Sequence, residues 1–169
     1  GNWTTWIFLA GRGAGKSRSM MEWVRECVEK GEAKRIALVA PTAAAARDVL
    51  IEGPSGLLNV CPPWCKPTYS PSKRRVTWPN GAIATHYSGD EPDRARGPQH
   101  DLAIFDEFCY FTYPAETLSN ILFGLRMGKN PRLGISTTPK PIKELIDLIN
   151  QPTTVVTRGS TYDNIDNLA

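Results

Sequence analysis

The sequence predicts an α/β fold built on a mainly parallel sheet with helices on both faces, and three observations carry the prediction. Five short aliphatic runs alternate with stretches of helical periodicity. A glycine-rich loop separates the first run from the first helical pattern, and two consecutive carboxylates close the third run. The 169 residues suffice for one domain with a sizeable core. A composition of 41% hydrophobic and 22% charged residues is that of a soluble globular chain rather than a disordered one.

The first strand covers 6–10 and is followed by Gly11-Arg12-Gly13-Ala14-Gly15-Lys16-Ser17. Glycines let the backbone curl so that several N–H groups point into one concavity, and the helix that follows directs its positive end there. The stretch therefore reads as a phosphate-gripping loop suited to a triphosphate. Lys16 reaches the β- and γ-phosphates, and the Ser17 hydroxyl is a ligand for Mg²⁺. The loop departs from G-x-x-x-x-G-K-[ST] at its outer position, which is Ala10, with glycine at 11 and 13 instead. A turn that merely joins strand to helix is the plainer reading, and the order strand, Gly-Lys-Ser, helix argues against it. In that helix Met20, Trp23, Val24, Cys27 and Val28 form one apolar stripe, and Gly31 is placed to end it.

The second strand, 35–40, leads to an alanine-rich helix over 43–51. The segment 53–88 then breaks the alternation with prolines at 54, 62, 63, 67, 71 and 79. Within it, 76–78, a Pro79-Asn80-Gly81 turn and 82–87 read as a β-hairpin inserted between the second and third core strands. The third strand, 102–105, delivers Asp106 and Glu107 at its C-terminal end, where ligands bind in open α/β sheets. Asp106 would hold Mg²⁺ directly or through water, and Glu107 would polarise the water that attacks the γ-phosphate. Acids often end strands, so this pair takes its meaning from the phosphate loop.

Helices are expected after Pro114, with Leu118, Ile121, Leu122 and Leu125 as the apolar face, and after Pro141, with Ile142, Leu145, Ile146 and Ile149. Between them the fourth strand, 133–136, ends in Ser136, Thr137 and Thr138. Their hydroxyls are placed to bond the γ-phosphate or the attacking water and to register its loss, helix-cap chemistry being the alternative. The fifth strand covers 153–157.

Arg94, Arg96 and Gly97 lie in a charged loop over 89–100. Phosphoryl transfer spreads negative charge over the γ-oxygens, so either arginine, from the same or a neighbouring subunit, could stabilise it, with Arg12 as a rival. The net charge of +3 is too small to establish nucleic-acid binding. Lys66, Lys73, Arg74 and Arg75 nevertheless form a local basic cluster that either faces DNA or belongs to a solvated loop. Cys27, Cys61, Cys65 and Cys109 lack the second ligand pair of a zinc site and fit reduced intracellular thiols. His86 and His100 read as satisfied surface or hairpin histidines. The tryptophans read as core and hairpin packing, with Trp64, amid prolines, as the one stacking candidate. No apolar run approaches membrane-spanning length, no signal peptide is visible, and Gly1 stands almost on the first strand, as at a trimmed end.

With these residues placed, the chain resembles the ATPase domain of the large terminase subunit of tailed bacteriophages, the motor that packages DNA into procapsids. The stretch 11–17 resembles that family's arginine-bearing Walker A, 102–107 its Walker B with catalytic glutamate, and 136–139 its coupling motif. Arg94-Ala95-Arg96-Gly97-Pro98 is similar to the Arg-Gly element from which a trans-acting arginine finger has been proposed, and Arg96, adjacent to Gly97, is the better match. Val39-Ala40-Pro41-Thr42 resembles the helicase-like segment after the second strand, and 159–164 the approach to the nuclease domain.

The resemblance implies a P-loop NTPase of ASCE type, with the strand ending in Ser136 lying between the acidic strand and the phosphate-loop strand. It implies an ATPase domain over 1–158 and, over 159–169, the start of a linker toward a nuclease domain that the sequence does not include. The adenine-reading segment expected ahead of Gly1 is likewise not in it. ATP and Mg²⁺ are the implied cofactors. Double-stranded DNA, a portal protein and a small terminase subunit are the implied partners, with a homo-oligomeric ring on assembly, an isolated domain that is a candidate monomer, and no membrane. The implied location is the host cytoplasm at the procapsid portal. The expected activity is ATP hydrolysis driving DNA translocation, with a helicase-like nucleic-acid motor or a non-hydrolysing nucleotide-dependent ring scaffold as alternatives.

Overall fold

The computed structural model describes residues 2–12 and 15–159. In chain order its elements are β1 (Thr5–Leu9), α1 (Lys16–Glu29), β2 (Arg35–Ala40), α2 (Ala43–Ala45), α3 (Leu57–Val60), β3 (Thr68–Ser70), β4 (Arg75–Thr77), β5 (Ile83–Ser88), β6 (Leu102–Asp106), α4 (Pro114–Gly124), β7 (Arg132–Thr137), α5 (Lys143–Ile149) and β8 (Thr154–Arg158). The short α2 continues directly as a π-helical stretch, Ala46–Ile51, which buries Leu50 and Ile51.

One mixed sheet runs in the order β3-β4-β5-β2-β6-β7-β1-β8. Because side chains alternate along a strand, each buried strand feeds two cores. Ile36, Leu38, Leu102 and Ile104 pack with Met20, Val24, Leu50 and Leu57 from α1 to α3. Ala37, Val39, Ala103 and Phe105 pack on the other face with Ile121 of α4 and Leu145 and Leu148 of α5. Gly134 in β7 is where α1 presses in: a Cβ there would stand 2.8 Å from the Trp23 ring and 3.0 Å from Met20 Sδ.

All five expected core strands form, and β7 lies between β1 and β6. The parallel core has six strands rather than five, because the segment read as an insertion contributes β5. That strand pairs antiparallel with β4, giving the expected hairpin, and parallel with β2, Ala37 opposite Thr85. The hairpin is thus continuous with the main sheet: β5 buries Ala84 and Tyr87 on opposite faces, a gain available only beside another strand. Trp78 lies past the end of β4, buried in a turn that Gly81 closes at φ +91°.

Two helices differ from expectation in phase. In α4, Thr117, Ile121 and Gly124 face inward while Leu122 is exposed, since Gly124 packs where a Cβ would stand 2.2 Å from the Pro98 carbonyl oxygen. Helix α5 begins at Lys143, so Pro141 precedes its first turn. Leu145 and Leu148 face inward and Ile146 outward, because two turns of helix present only a narrow stripe to the sheet.

His86 lies in the hairpin strand β5, one of the two expected placements, but both histidines are buried rather than at the surface, because β5 and the start of β6 lie inside the sheet. His86 Nε2 pairs with the Tyr69 hydroxyl at 2.8 Å and His100 Nε2 with the Tyr87 hydroxyl at 3.0 Å. Burial pushes both imidazoles down to about 4, so both are neutral at physiological pH. Trp3, Trp6 and Trp23 form one ring cluster, whereas Trp64 is exposed and donates its Nε1–H to Glu29. Among the described residues no helix is long and apolar enough to cross a membrane.

Candidate active site

Parallel register brings the C-terminal ends of β1, β7 and β6 side by side, Leu9 opposite Thr137 and Asp106 opposite Ser136. Onto this edge the chain after β1 delivers the start of α1. Gly15 takes φ +76°, a left-handed conformation that glycine adopts without a side-chain clash, and turns the backbone so that Lys16 opens the helix. Gly11 and Arg12 precede it, Arg12 being exposed, while Gly13 and Ala14 lie outside the described residues.

Lys16 is 6% exposed, a degree of burial that a lysine tolerates only with a partner. Its Nζ stands 2.9 Å from Glu107 Oε1 and donates to the Gly11 carbonyl oxygen at 3.5 Å. Glu107 reaches that position through an unusual backbone: at φ +52° it is a non-glycine residue in the left-handed region, costing on the order of 1–3 kcal/mol. Its N–H donates to the Ser136 carbonyl oxygen at 2.6 Å, and its carboxylate accepts from the Thr138 N–H at 3.4 Å and hydroxyl at 3.3 Å. The carboxylate is thereby held between α1 and the residue that follows β7.

Asp106 lies one residue deeper, 2% exposed. One oxygen, Oδ1, accepts both the Ser17 hydroxyl at 2.7 Å and the Ser136 hydroxyl at 3.0 Å. Burial pushes the carboxyl above the usual carboxylate range. The two hydroxyl donors and Lys16 pull it back, and the neighbouring Glu107 charge adds to the rise. The Ser17 hydroxyl and Asp106 carboxylate are hard oxygen donors, the set that suits Mg²⁺, which takes one or two protein oxygens and completes its shell with phosphate and water. No cluster of three or more His, Cys, Asp or Glu side chains able to hold a metal occurs among the described residues.

The structure thus brings together Lys16, Ser17, Asp106, Glu107, Ser136 and Thr138. The Thr137 hydroxyl is turned away from them, accepting the Cys109 N–H at 3.2 Å and donating to the Thr138 carbonyl oxygen. Arg94 and Arg96 are not brought in: on the turn Pro92–Ala95 and just past it, they pair locally with Glu91 and Asp93, both at 3.1 Å. A wall that the motif reading missed is Asp48, Val49 and 53–55, which face Gly15 to Arg18 across a cleft of about 270 Å³. Its sequence signal is Gly53, whose added Cβ would stand 2.2 Å from the Asp48 carbonyl oxygen.

Comparison with known proteins agrees with this architecture. The family model described as terminase large subunit, T4likevirus-type, N-terminal matches residues 7–168. No curated protein sequence matches the chain. Among solved structures, the large terminase of a thermophilic bacteriophage superposes with a TM-score of 0.79 at 15% identity, over 97% of this chain and 42% of that one. The same terminase in complex with ATP-gamma-S gives 0.77 at 16% identity, over 97% of this chain and 41% of that one. The large terminase ATPase domain of Thermus phage P74-26 gives 0.75 at 14% identity, over 99% of this chain and 80% of that one. At such identities the likeness establishes the fold. The chain spans less than half the length of the first of these terminases.

Proposed function

Since the chain belongs to the T4likevirus-type terminase large subunit N-terminal family, we propose that it is the ATP-hydrolysing motor domain, over 1–158, of a phage genome-packaging machine, on a P-loop sheet of ASCE type. The observation that carries this reading is the meeting of the loop after β1, the acidic end of β6 and the end of β7 in two contact chains, Lys16–Glu107–Thr138 and Ser17–Asp106–Ser136. That the similar thermophilic-phage terminase was solved with ADP and with ATP-gamma-S supports nucleotide binding by this fold.

The triphosphate of ATP lies at the N-terminus of α1, where the backbone N–H groups at its first residues and the helix dipole favour negative charge. Lys16 leaves Glu107 for the β- and γ-phosphate oxygens. The freed Glu107 carboxylate accepts the proton of the attacking water, oriented by Thr138. A bound Mg²⁺ would neutralise charge on the phosphate oxygens, and Ser17 and Asp106 are the residues that would hold it. Ser136 and Thr138 connect loss of the γ-phosphate to β7. Arg94 and Arg96, exposed and paired only locally, suit presentation to a neighbouring subunit in a ring, with Arg96 as the finger and Arg12 serving phosphate in its own subunit. Hydrolysis then drives double-stranded DNA through a portal into the procapsid in the host cytoplasm, with a small terminase subunit as partner.

The test is Glu107→Gln. Removal of a general base slows hydrolysis about 10²–10⁴-fold, while ATP still binds with wild-type or higher affinity because Lys16 no longer has a carboxylate to leave. Undiminished turnover in this variant overturns the assignment of the base.

A further inference from the structure

The sheet face that carries α4 and α5 is not covered along its whole width. Over β5 and β4 it stays open as a groove of about 360 Å³, floored by Ile83, Thr85 and Tyr87 and edged by the loop through Pro98 and Gln99. Strand register puts Arg35 opposite Ile83 on one side of β5 and Arg75 opposite Thr85 on the other, so both arginines flank the same strip. Both are exposed, and neither makes an ion pair with an acid of the described residues. The buried carboxylate nearest in sequence to the groove, Asp101, accepts the backbone N–H groups of Lys34 and Arg35 at 2.8 and 3.1 Å and makes no ion pair with the Arg35 guanidinium. No lining residue is acidic. His100, beneath the groove, stays neutral, so its charge comes from the arginines alone.

The basic cluster of the sequence is split by the fold. Arg74, in the left-handed region at φ +51°, turns back to Glu91, whereas Arg75 joins Arg35 from forty residues away in the chain. Two strand spacings, about 10 Å, separate the flanking strands, enough for the two guanidiniums to reach different phosphates of one backbone whose charges recur every ~3.4 Å of axis. Thr85 and Gln99 add neutral donors of the kind that bond phosphate and sugar.

We infer that this groove, lined by Arg35, Arg75, Thr85 and Gln99, binds the phosphodiester backbone of duplex DNA. The inference rests on the packaging-motor reading for the identity of the polyanion, and places the contact away from the nucleotide, toward the N-terminal end of β2.

The experiment is anisotropy titration of a labelled 30-base-pair duplex at a series of KCl concentrations, with wild type, Arg35→Ala, Arg75→Ala, the double variant and Lys30→Ala on the opposite sheet face. Each groove substitution should lower the slope of log K against log salt by about 1, and the pair by about 2, for all duplex sequences alike. Lys30→Ala should leave the slope unchanged, and thermal melts should show all variants folded. Wild-type binding with an unchanged slope in the folded double variant overturns the groove assignment alone. Absence of duplex binding by wild type overturns the translocation reading with it, and ATP hydrolysis measured without DNA remains an independent check on the nucleotide site.

Discussion

Asp106 is held where its charge is least comfortable. Its carboxyl titrates above the usual range, so between the unfolded and folded values the native chain keeps a proton that the unfolded chain has lost, and stability falls as pH rises through that window. Asp106→Asn keeps an acceptor for Ser17 and Ser136 but removes the buried charge. The expected result is a higher Tm at neutral pH and a flatter dependence of Tm on pH above the ordinary Asp range, by calorimetry. Mg²⁺-dependent turnover should fall roughly 100-fold or more as several kcal/mol of metal-borne stabilisation is lost. That Lys16, Ser17, Asp106 and Glu107 would come together was legible, because their residue types and order suffice. The left-handed backbone of Glu107 was not, since nothing in Phe-Asp-Glu-Phe announces a positive φ. Nor was the local pairing of Arg94 and Arg96 with acids three residues before each.

At the scale of elements, the close seat of α1 on β7 is decided by a missing side chain. Gly134→Ala puts a methyl within 3.0 Å of Trp23, Ile104 and Met20. Overpacking of this kind costs about 1–3 kcal/mol, a loss of roughly 2–10 °C in Tm for a chain of this size. Because α1 carries Lys16 and Ser17 at its start, nucleotide affinity measured by titration should weaken in the same variant. Strand and helix positions along the chain were readable from periodicity, with β2 found at its observed bounds. The role of β5 was not readable: a strand in a hairpin shows its antiparallel partner through the turn, but its parallel partner lies more than forty residues away and leaves no local mark.

At the scale of the whole molecule, the candidate nucleotide site stands at the C-terminal edge of the parallel strands and the basic groove toward the other end of β2. On the proposed reading, hydrolysis and DNA contact would fall on opposite margins of one sheet. Arg94 and Arg96 are exposed on and just past a turn packed against α4 and pair only locally, the arrangement expected of the proposed finger that serves a neighbouring subunit. ATPase rate per subunit should therefore rise with protein concentration, and Arg96→Ala should abolish that rise while leaving the dilute rate unchanged. A rate independent of concentration in the wild type would overturn a shared site. Apolar periodicity, glycine placement and the order of charged motifs determined that this chain forms an α/β sheet whose first helix starts with Lys16 and Ser17 beside two carboxylates, because those signals act over a few residues and are written locally. Only the tertiary structure decided that the parallel core has six strands, that Glu107 is clasped between Lys16 and Thr138, and that Arg35 and Arg75 share a groove. Each of these depends on strand pairing between residues far apart in the chain, which sheet register sets and local sequence does not record.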